Sequence, residues 1–317
     1  MRVLVLTNMY PTPTEPWFGC FVKDQVEDLG ALGVEVEVLS IDARASRMRY
    51  ATATRDLRGL LRDRRFDLVH AHYGLTGAVA LAQRRLPVVT TFHGGDYTGE
   101  IPWHTPVSWI VARRSTPIVV SAEGRRRLRR PDAPVIPMPV DTERFRPVDR
   151  KEARASLGWP AERRYALFPS NPEHENKRVH LFEAALDDVR SGGTEIEPVY
   201  LKGFDRDQVA LVMNAVDVTV LTSRFEGSPV TVRESLASAT PVVSVPVGDV
   251  VEAIGDLPGC AVTAEEPRKI ANGILAALGS ERPPDLRERA LCSSRNRIGE
   301  RVLEVYEQVL QDQPKPS

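Results

Sequence analysis

With 317 residues, 42% of them apolar, the chain can fill two ordinary cores, and it has no apolar run long enough to cross a bilayer as a helix. Its 42 Lys and Arg nearly balance 43 Asp and Glu, but unevenly: residues 1–150 carry 22 basic against 17 acidic side chains, and the remainder 20 against 26. Cys20, Cys260 and Cys292 are odd in number and far apart, which disfavours a disulfide framework or a zinc site and fits the cytoplasm.

Residues 2–7 read as a first strand that leads straight into Asn8 and Pro11, not as a signal peptide. The Pro- and Thr-rich loop 8–19 is long for a strand-to-helix connection. Gly19 precedes a helix over 21–32, which Gly33 stops, and a second strand spans 34–41. This opening has the topology of a nucleotide site but lacks GxGxxG, so a dinucleotide enzyme is disfavoured. A basic helix over 52–65 follows, then a strand over 68–72 ending in His72, a small-residue helix over 74–84, and a strand over 87–93 ending in His93. Open α/β sheets gather ligands at the carboxyl ends of their strands, and Gly94 and Gly95 permit close approach there. A fifth strand over 117–121 precedes an arginine-rich helix. The basic segments 44–65 and 125–130 read as solvated helix faces or as contact with an anionic acceptor or membrane surface. Lacking interleaved aromatics, they do not read as a nucleic-acid site. Attraction of this kind is expected to be weak and lost in moderate salt.

Residues 148–164 are polar and charged and read as the connection between two domains, 1–160 and 161–317. The second domain opens with a strand over 165–168, a polar loop over 170–177 and a helix over 179–189. Further strands are expected at 198–203, 218–221, 241–245 and 260–263, and helices at 205–215, 229–239, 267–279 and 286–311. The last helix carries an apolar stripe of Val302, Val305, Tyr306, Val309 and Leu310. Residues 313–317 are expected to be disordered.

The most informative stretch is Arg224-Phe225-Glu226-Gly227-Ser228-Pro229-Val230-Thr231-Val232-Arg233-Glu234-Ser235. It follows the buried strand 218–221. Ser228 reads as an N-cap and Pro229 as the first helical residue, so Gly227 lies in a tight turn before a helix start that attracts an anion such as phosphate. Glu226 stands at the lip of the turn and Glu234 on the second helical turn. Two carboxylates beside an anion site make poor sense for phosphate alone. Ionised carboxylates accept hydrogen bonds from hydroxyls, and a sugar nucleotide carries both hydroxyls and phosphate.

The pattern Glu226-Gly227-x-Pro229…Glu234 resembles the donor-site motif of the retaining family 4 glycosyltransferases, also called glycosyl transferases group 1. The strand 241–245 with Val247-Gly248-Asp249 and Glu252 fits the same family, and Thr91-Phe92-His93-Gly94-Gly95-Asp96 resembles its signature at the end of the fourth strand. The resemblance implies an α/β protein of GT-B fold: two facing Rossmann-like domains with parallel sheets, the first for the acceptor and the second for the donor, with the last helix packing back on the first. It implies a retaining hexosyltransferase that moves sugar from a UDP- or GDP-linked donor to an acceptor hydroxyl, without metal or other cofactor. By the same resemblance His93 and Glu226 are catalytic, Glu226 binding donor-sugar hydroxyls, and Glu234 binds the ribose. Gly19, Lys177, Arg178, Gly227, Ser228, Pro229 and Val230 complete the donor site, and His72 and Asp96 lie on the acceptor side.

The chain departs from the family in four places. Gly19 stands alone where a glycine pair is usual, and Met138-Pro139 replaces an Asn-Gly pair. The arginine of the diphosphate clamp falls at Asn171 or Pro172, leaving Lys177 with Arg178 as the candidate substitute. The segment between Lys177 and Val218 is short by a βα unit, so the second sheet is expected to be trimmed. The implied acceptor is a glycan, a glycolipid or a small molecule, with weak peripheral contact to anionic membrane at its inner face and no nucleic acid. Two other classes stay open: a GT-B nucleotide-sugar epimerase, which would release a 2-epimer without acceptor, and a non-catalytic sugar-nucleotide-binding protein, which would bind donor without turnover.

Overall fold

A computed structural model describes residues 1–15, 18–42, 48–99, 101–280 and 282–313. Its contacts divide the chain into two units, Met1–Met138 with Arg295–Ser317, and Pro139–Ser294. Each unit contains one five-stranded sheet in which every paired strand is parallel.

The first unit runs β1 (Arg2–Thr7), α1 (Cys20–Ala31), β2 (Glu35–Ser40), α2 (Arg49–Asp63), β3 (Leu68–His72), α3 (Gly74–Ala80), β4 (Val88–Phe92), α4 (His104–Arg114), β5 (Thr116–Val119) and α5 (Ala122–Leu128). Its sheet order is β2-β1-β3-β4-β5. Helices cover both faces, so β3 and β4 are buried throughout, including His70, His72, Thr90 and Thr91, and β1 is buried after Arg2. The strand order reverses between β1 and β3, and the carboxyl ends of those strands border the crevice where sheets of this kind take ligands.

The second unit runs α6 (Arg150–Leu157), β6 (Tyr165–Phe168), α7 (Val179–Ser191), β7 (Glu197–Tyr200), α8 (Arg206–Ala215), β8 (Val218–Leu221), α9 (Val230–Ala237), β9 (Val242–Ser244), α10 (Val250–Ile254), β10 (Ala261–Val262), α11 (Pro267–Leu278) and α12 (Asp285–Leu291). Its order is β10-β9-β8-β6-β7, with the reversal between β6 and β8. Its core includes Phe168, Phe182, Leu186, Val220, Leu236 and Ile274. Among the described residues no helix is long and apolar enough to cross a membrane.

Several elements differ from the sequence expectations. The stretch expected to link two domains contains α6 and belongs to the second unit. Asp149 caps α6 by accepting from the N–H of Lys151 and Glu152, and Gly158 ends it in the left-handed region. This helix is held by charge: buried Arg154 donates to Asp217 at 2.8 Å and to the carbonyl of Ala215 at 2.8 Å. The helix expected over 286–311 is two helices. It breaks at residues 292–294, and α13 (Arg295–Gln311) joins the first unit. There Val302, Tyr306 and Val309 are buried with Val5, Val22 and Leu29, and Arg295 pairs with Asp28 of α1 at 2.7 Å. The division therefore falls after Met138, not after residue 160, and the C-terminal helix lies outside the second unit. Two further helices, α4 and α10, were not expected. The segment 314–317 and the basic residues Arg44 and Arg47 lie outside the described residues.

Candidate functional site

Each unit gathers its predicted residues at its own strand-order reversal. In the second unit the loops after β6 and after β8 meet there. The loop after β6 closes in a short 3-10 turn, Glu175–Lys177, and its Asn176 ties the two loops together. The Asn176 side chain donates to the Phe225 carbonyl at 3.1 Å and accepts from the Phe225 N–H at 3.2 Å, while the Asn176 carbonyl accepts from the Arg224 N–H at 2.8 Å. This sets Lys177 Nζ 2.5 Å from Glu226 Oε1, so the expected phosphate-binding cation and the expected sugar-binding carboxylate are partners. Arg178 lies behind them. It is buried, and its guanidinium donates to the carbonyls of Thr222 at 2.7 Å and Ser223 at 3.1 Å and pairs with Glu265. The guanidinium thus braces the exit of β8, and its backbone sits in the left-handed region at φ 52°.

The helix start also differs by a residue from the sequence expectation. The cap position falls on Pro229, whose ψ of 114° is extended, and α9 begins at Val230. Proline brings no capping side chain, so the cap residue itself makes no side-chain bond to the first-turn N–H groups. Glu234, on the next turn and nearly buried, lies 3.8 Å from Arg206 of α8. The turn is fixed from the far side by the loop after β9. Gly248 has φ 58°, and a Cβ there would stand 2.7 Å from the Gly227 carbonyl oxygen, so glycine is required on two counts. The next residue, Asp249, forms a buried ion pair with Arg233 of α9.

In the first unit the reversal is lined by neutral groups. Gly19, at φ 71°, starts α1, and a Cβ there would meet the Met9 carbonyl carbon at 2.3 Å. Two residues on, the Phe21 ring lies 5.2 Å from the His93 ring. His93 in turn stacks on His72 at 5.3 Å, with His72 Nδ1 and His93 Nε2 3.1 Å apart. That contact engages Nε2 of His93 and leaves further hydrogen bonding by this ring to Nδ1. His70, two residues before His72 and on the same face of β3, bonds Tyr306 of α13 at 2.5 Å and Thr91 at 2.8 Å. Burial pushes His70 down to about 3 and His93 down to about 4, and holds His72 well below its ordinary range. All three imidazoles are therefore neutral near pH 7.

Asp96 is fully buried and positions this cluster. Its Oδ2 accepts from the His93 N–H at 2.6 Å and its Oδ1 from the Gly74 N–H at 2.5 Å, joining the ends of β3 and β4. Burial raises its carboxyl to about 7 despite both donors. Between His72 and Gly74, Tyr73 takes φ 91°, a conformation rare for a side-chain-bearing residue, and its hydroxyl bonds His104 of α4.

Two family models match the chain, Glycosyltransferase Family 4 over residues 2–144 and Glycosyl transferases group 1 over residues 166–280. The chain belongs to the family 4 glycosyltransferases. This glycosyltransferase is 24% identical to a putative teichuronic acid biosynthesis glycosyltransferase, TuaC of Bacillus subtilis, over 80% of this chain and 83% of that one. It is 28% identical to the D-inositol 3-phosphate glycosyltransferase of Mycobacterium marinum over 60% of this chain, and that match spans about half of the relative, 51%. Its fold is the GT-B fold. Sucrose-phosphate synthase from Thermosynechococcus elongatus superposes with a TM-score of 0.81 at 16% identity, covering 99% of this chain and 100% of that one. Anabaena Alr3699/HepE, solved with UDP and glucose, superposes at 0.72 and 15% identity over 97% and 100%.

Of the residues that the sequence singled out in this glycosyltransferase, Lys177, Glu226, Gly227, Ser228, Pro229, Val230 and Glu234 fall on one pair of loops and the helix they lead into. Gly19, His72, His93 and Asp96 converge in the other unit. Arg178 belongs to the scaffold of the first group rather than its open side. The residues not foreseen are Asn176, Tyr73, and the pairs Arg233–Asp249 and His70–Tyr306. The sequence offered a signal only for Asp249, next to Gly248.

Proposed function

We propose that this glycosyltransferase moves a sugar from a nucleotide-diphosphate sugar to an acceptor hydroxyl with retention of anomeric configuration and without a metal. The observation that carries the donor reading is the meeting of Lys177 and Glu226 in front of the first turn of α9 at the β6/β8 reversal. In this reading the pair opens when donor binds. The diphosphate becomes the partner of Lys177 Nζ and of the α9 N–H groups, and Glu226 is released to accept from sugar hydroxyls. As the glycosidic bond breaks, charge grows on the leaving diphosphate, and these same donors stabilise it more than they stabilise the ground state. Glu234 holds the ribose.

Retention is supported by the likeness of residues 226–234 to the donor motif of the retaining family 4 enzymes. In the donor complex Glu226 is taken up by sugar hydroxyls, and a same-face displacement in which the donor phosphate takes the acceptor proton needs no protein nucleophile. The first unit is assigned to the acceptor and His93 to the transfer step, where a neutral imidazole bonds hydroxyls without attracting the diphosphate. Structures of Anabaena Alr3699/HepE with UDP and with UDP-glucose support a nucleotide-sugar donor. The arginine excess of residues 1–150 supports peripheral contact with an anionic membrane.

The test is calorimetric titration of UDP, GDP and their sugars into wild type, Lys177→Ala and Glu226→Gln, repeated with excess chelator. The reading expects one nucleotide family to bind, Lys177→Ala to weaken the free nucleotide, and Glu226→Gln to weaken only the sugar-bearing form. Binding of no nucleotide, or binding and turnover that vanish with chelator and return with Mg²⁺, overturns it.

A further inference from the structure

The arginines alone would give only salt-labile attraction to a membrane, but α4 adds an apolar element beside them. Trp103 is 45% exposed and Ile110 53%, and Ile101 is exposed as well. Residues 103, 106, 110, 113 and 114 recur at three- and four-residue spacing and share the outward face of α4, whereas Ser108, Val111 and Ala112 face inward. The outward face thus carries Trp103, Pro106 and Ile110 and ends in Arg113 and Arg114.

Helix α5 lies against this helix. Trp109 Nε1 donates to the Arg127 carbonyl at 2.7 Å, and the Arg129 guanidinium lies 5.0 Å from the Trp109 ring. Arg126 of α5 and Arg129 at its C-cap are exposed, as are Arg113 and Arg114 of α4. Among the described residues of α5 and the turn after it, Glu123 pairs with Arg127 at 2.7 Å and Asp132 with Arg130 at 2.7 Å. What results is an apolar prow of tryptophan and isoleucine bordered by guanidinium groups of one sign.

We propose that the α4–α5 face docks this protein on an anionic bilayer. The inference deepens the membrane contact proposed above, and rests on it, by naming the surface that makes it. Tryptophan is favoured at the headgroup level, isoleucine gains by leaving water, and each arginine near the surface is drawn to anionic lipid. A second copy is a poorer occupant, because the same face on both partners would set arginine against arginine. A nucleic acid would satisfy the arginines but leave Ile101 and Ile110 without an apolar partner.

Sedimentation of the full chain with vesicles tests this, using phosphatidylcholine alone and phosphatidylcholine mixed with phosphatidylglycerol, at low and moderate salt. Wild type should bind the mixed vesicles and retain a salt-resistant fraction. Arg113→Gln and Arg126→Gln should each weaken binding about fivefold at low salt. Trp103→Ser with Ile110→Ser should abolish the salt-resistant fraction, and Ile110→Ser alone, which leaves the Trp103–His104 ring contact in place, should reduce it while the melting temperature stays at the wild-type value. If wild type binds and all these variants bind equally well, membrane contact stands but this face does not make it. If wild type ignores phosphatidylglycerol vesicles, both readings fall. Pelleting without vesicles that Trp103→Ser removes would make the face a protein-protein contact instead.

Discussion

The two strand-order reversals solve the same problem with opposite chemistry. Both bring loops from neighbouring strands together beside the start of a helix, α1 in one unit and α9 in the other, and both need a glycine whose Cβ would strike backbone. The second unit then builds with charge: Lys177 on Glu226, Arg206 near Glu234, Arg233 on Asp249, and Arg178 on the carbonyls of the β8 exit. The first builds with neutral rings and with one carboxylate that only accepts from backbone N–H groups. On the proposed donor reading, a surface that takes a diphosphate benefits from cations and a helix start. On the same reading, a surface that takes an acceptor's hydroxyls benefits from groups that can donate or accept without selecting a charge. If that reading holds, a shared topology supplies the crevice and the side chains at its rim decide the ligand.

The sharpest way to break this comparison is to remove a scaffold charge. Arg233→Ala leaves Asp249 buried without its partner, and loss of half a buried pair costs about 3–5 kcal/mol; denaturant unfolding measures it. A cost well under this would show that the charged scaffold contributes little. Lys177→Ala comes next. On the proposed donor reading it removes the cation that would stabilise the leaving diphosphate, and turnover should fall about 10²–10³-fold with weakened nucleotide affinity. Unchanged nucleotide affinity would move the diphosphate elsewhere. His93→Ala should lower turnover by about 10²-fold, the lower end for a positioned acid-base group, and leave nucleotide affinity intact. A variant that melts early but turns over normally per folded molecule would reduce His93 to a structural residue.

The parts legible in the sequence are those where local signals agree with the fold. Buried parallel strands announce themselves as apolar runs, and β1, β3, β6 and β8 appear at the expected residues. The loop and helix of 224–235 were legible because glycine, proline and carboxylates in that order have few other uses. Helix α6 was not, because its burial runs through Arg154 and Asp217, and a sequence of arginines, glutamate and lysine looks solvated unless the partner 63 residues away is known. Helix α4 was missed because its outward face is as apolar as its inward one, so no periodic stripe appears, and Trp103 is a poor cap. The Lys177–Glu226 and His72–His93 contacts also depend on non-local pairings. Strand-end placement makes them possible, but only the sheet order brings the loops together.

The smallest expected effect concerns pH, and it separates the neutral cluster from everything else in the molecule. An unfolded chain would protonate its histidines near pH 6.5, whereas in the folded chain His93 resists protonation down to about 4 and His70 to about 3, with His72 also lowered. Between those limits the unfolded state binds more protons, so the stability these rings contribute is complete above about pH 6.5 and is lost as pH falls. Asp96 acts in the opposite sense. Its folded carboxyl protonates at about 7 and its unfolded one near 3.8, so acidification across that span adds stability. Three histidines outweigh one aspartate, and stability should be greatest near pH 6.5–7 and decline below it. His93→Gln keeps a hydrogen-bonding side chain and removes one titration. Its stability, measured by denaturant titration at half-unit steps from pH 7 to 4.5, should decline less steeply than wild type by about one proton, or ~1.4 kcal/mol per pH unit. Parallel curves for the two proteins would mean that His93 already charges in the folded state, and the neutral half of the comparison would fail at the residue assigned to the chemistry.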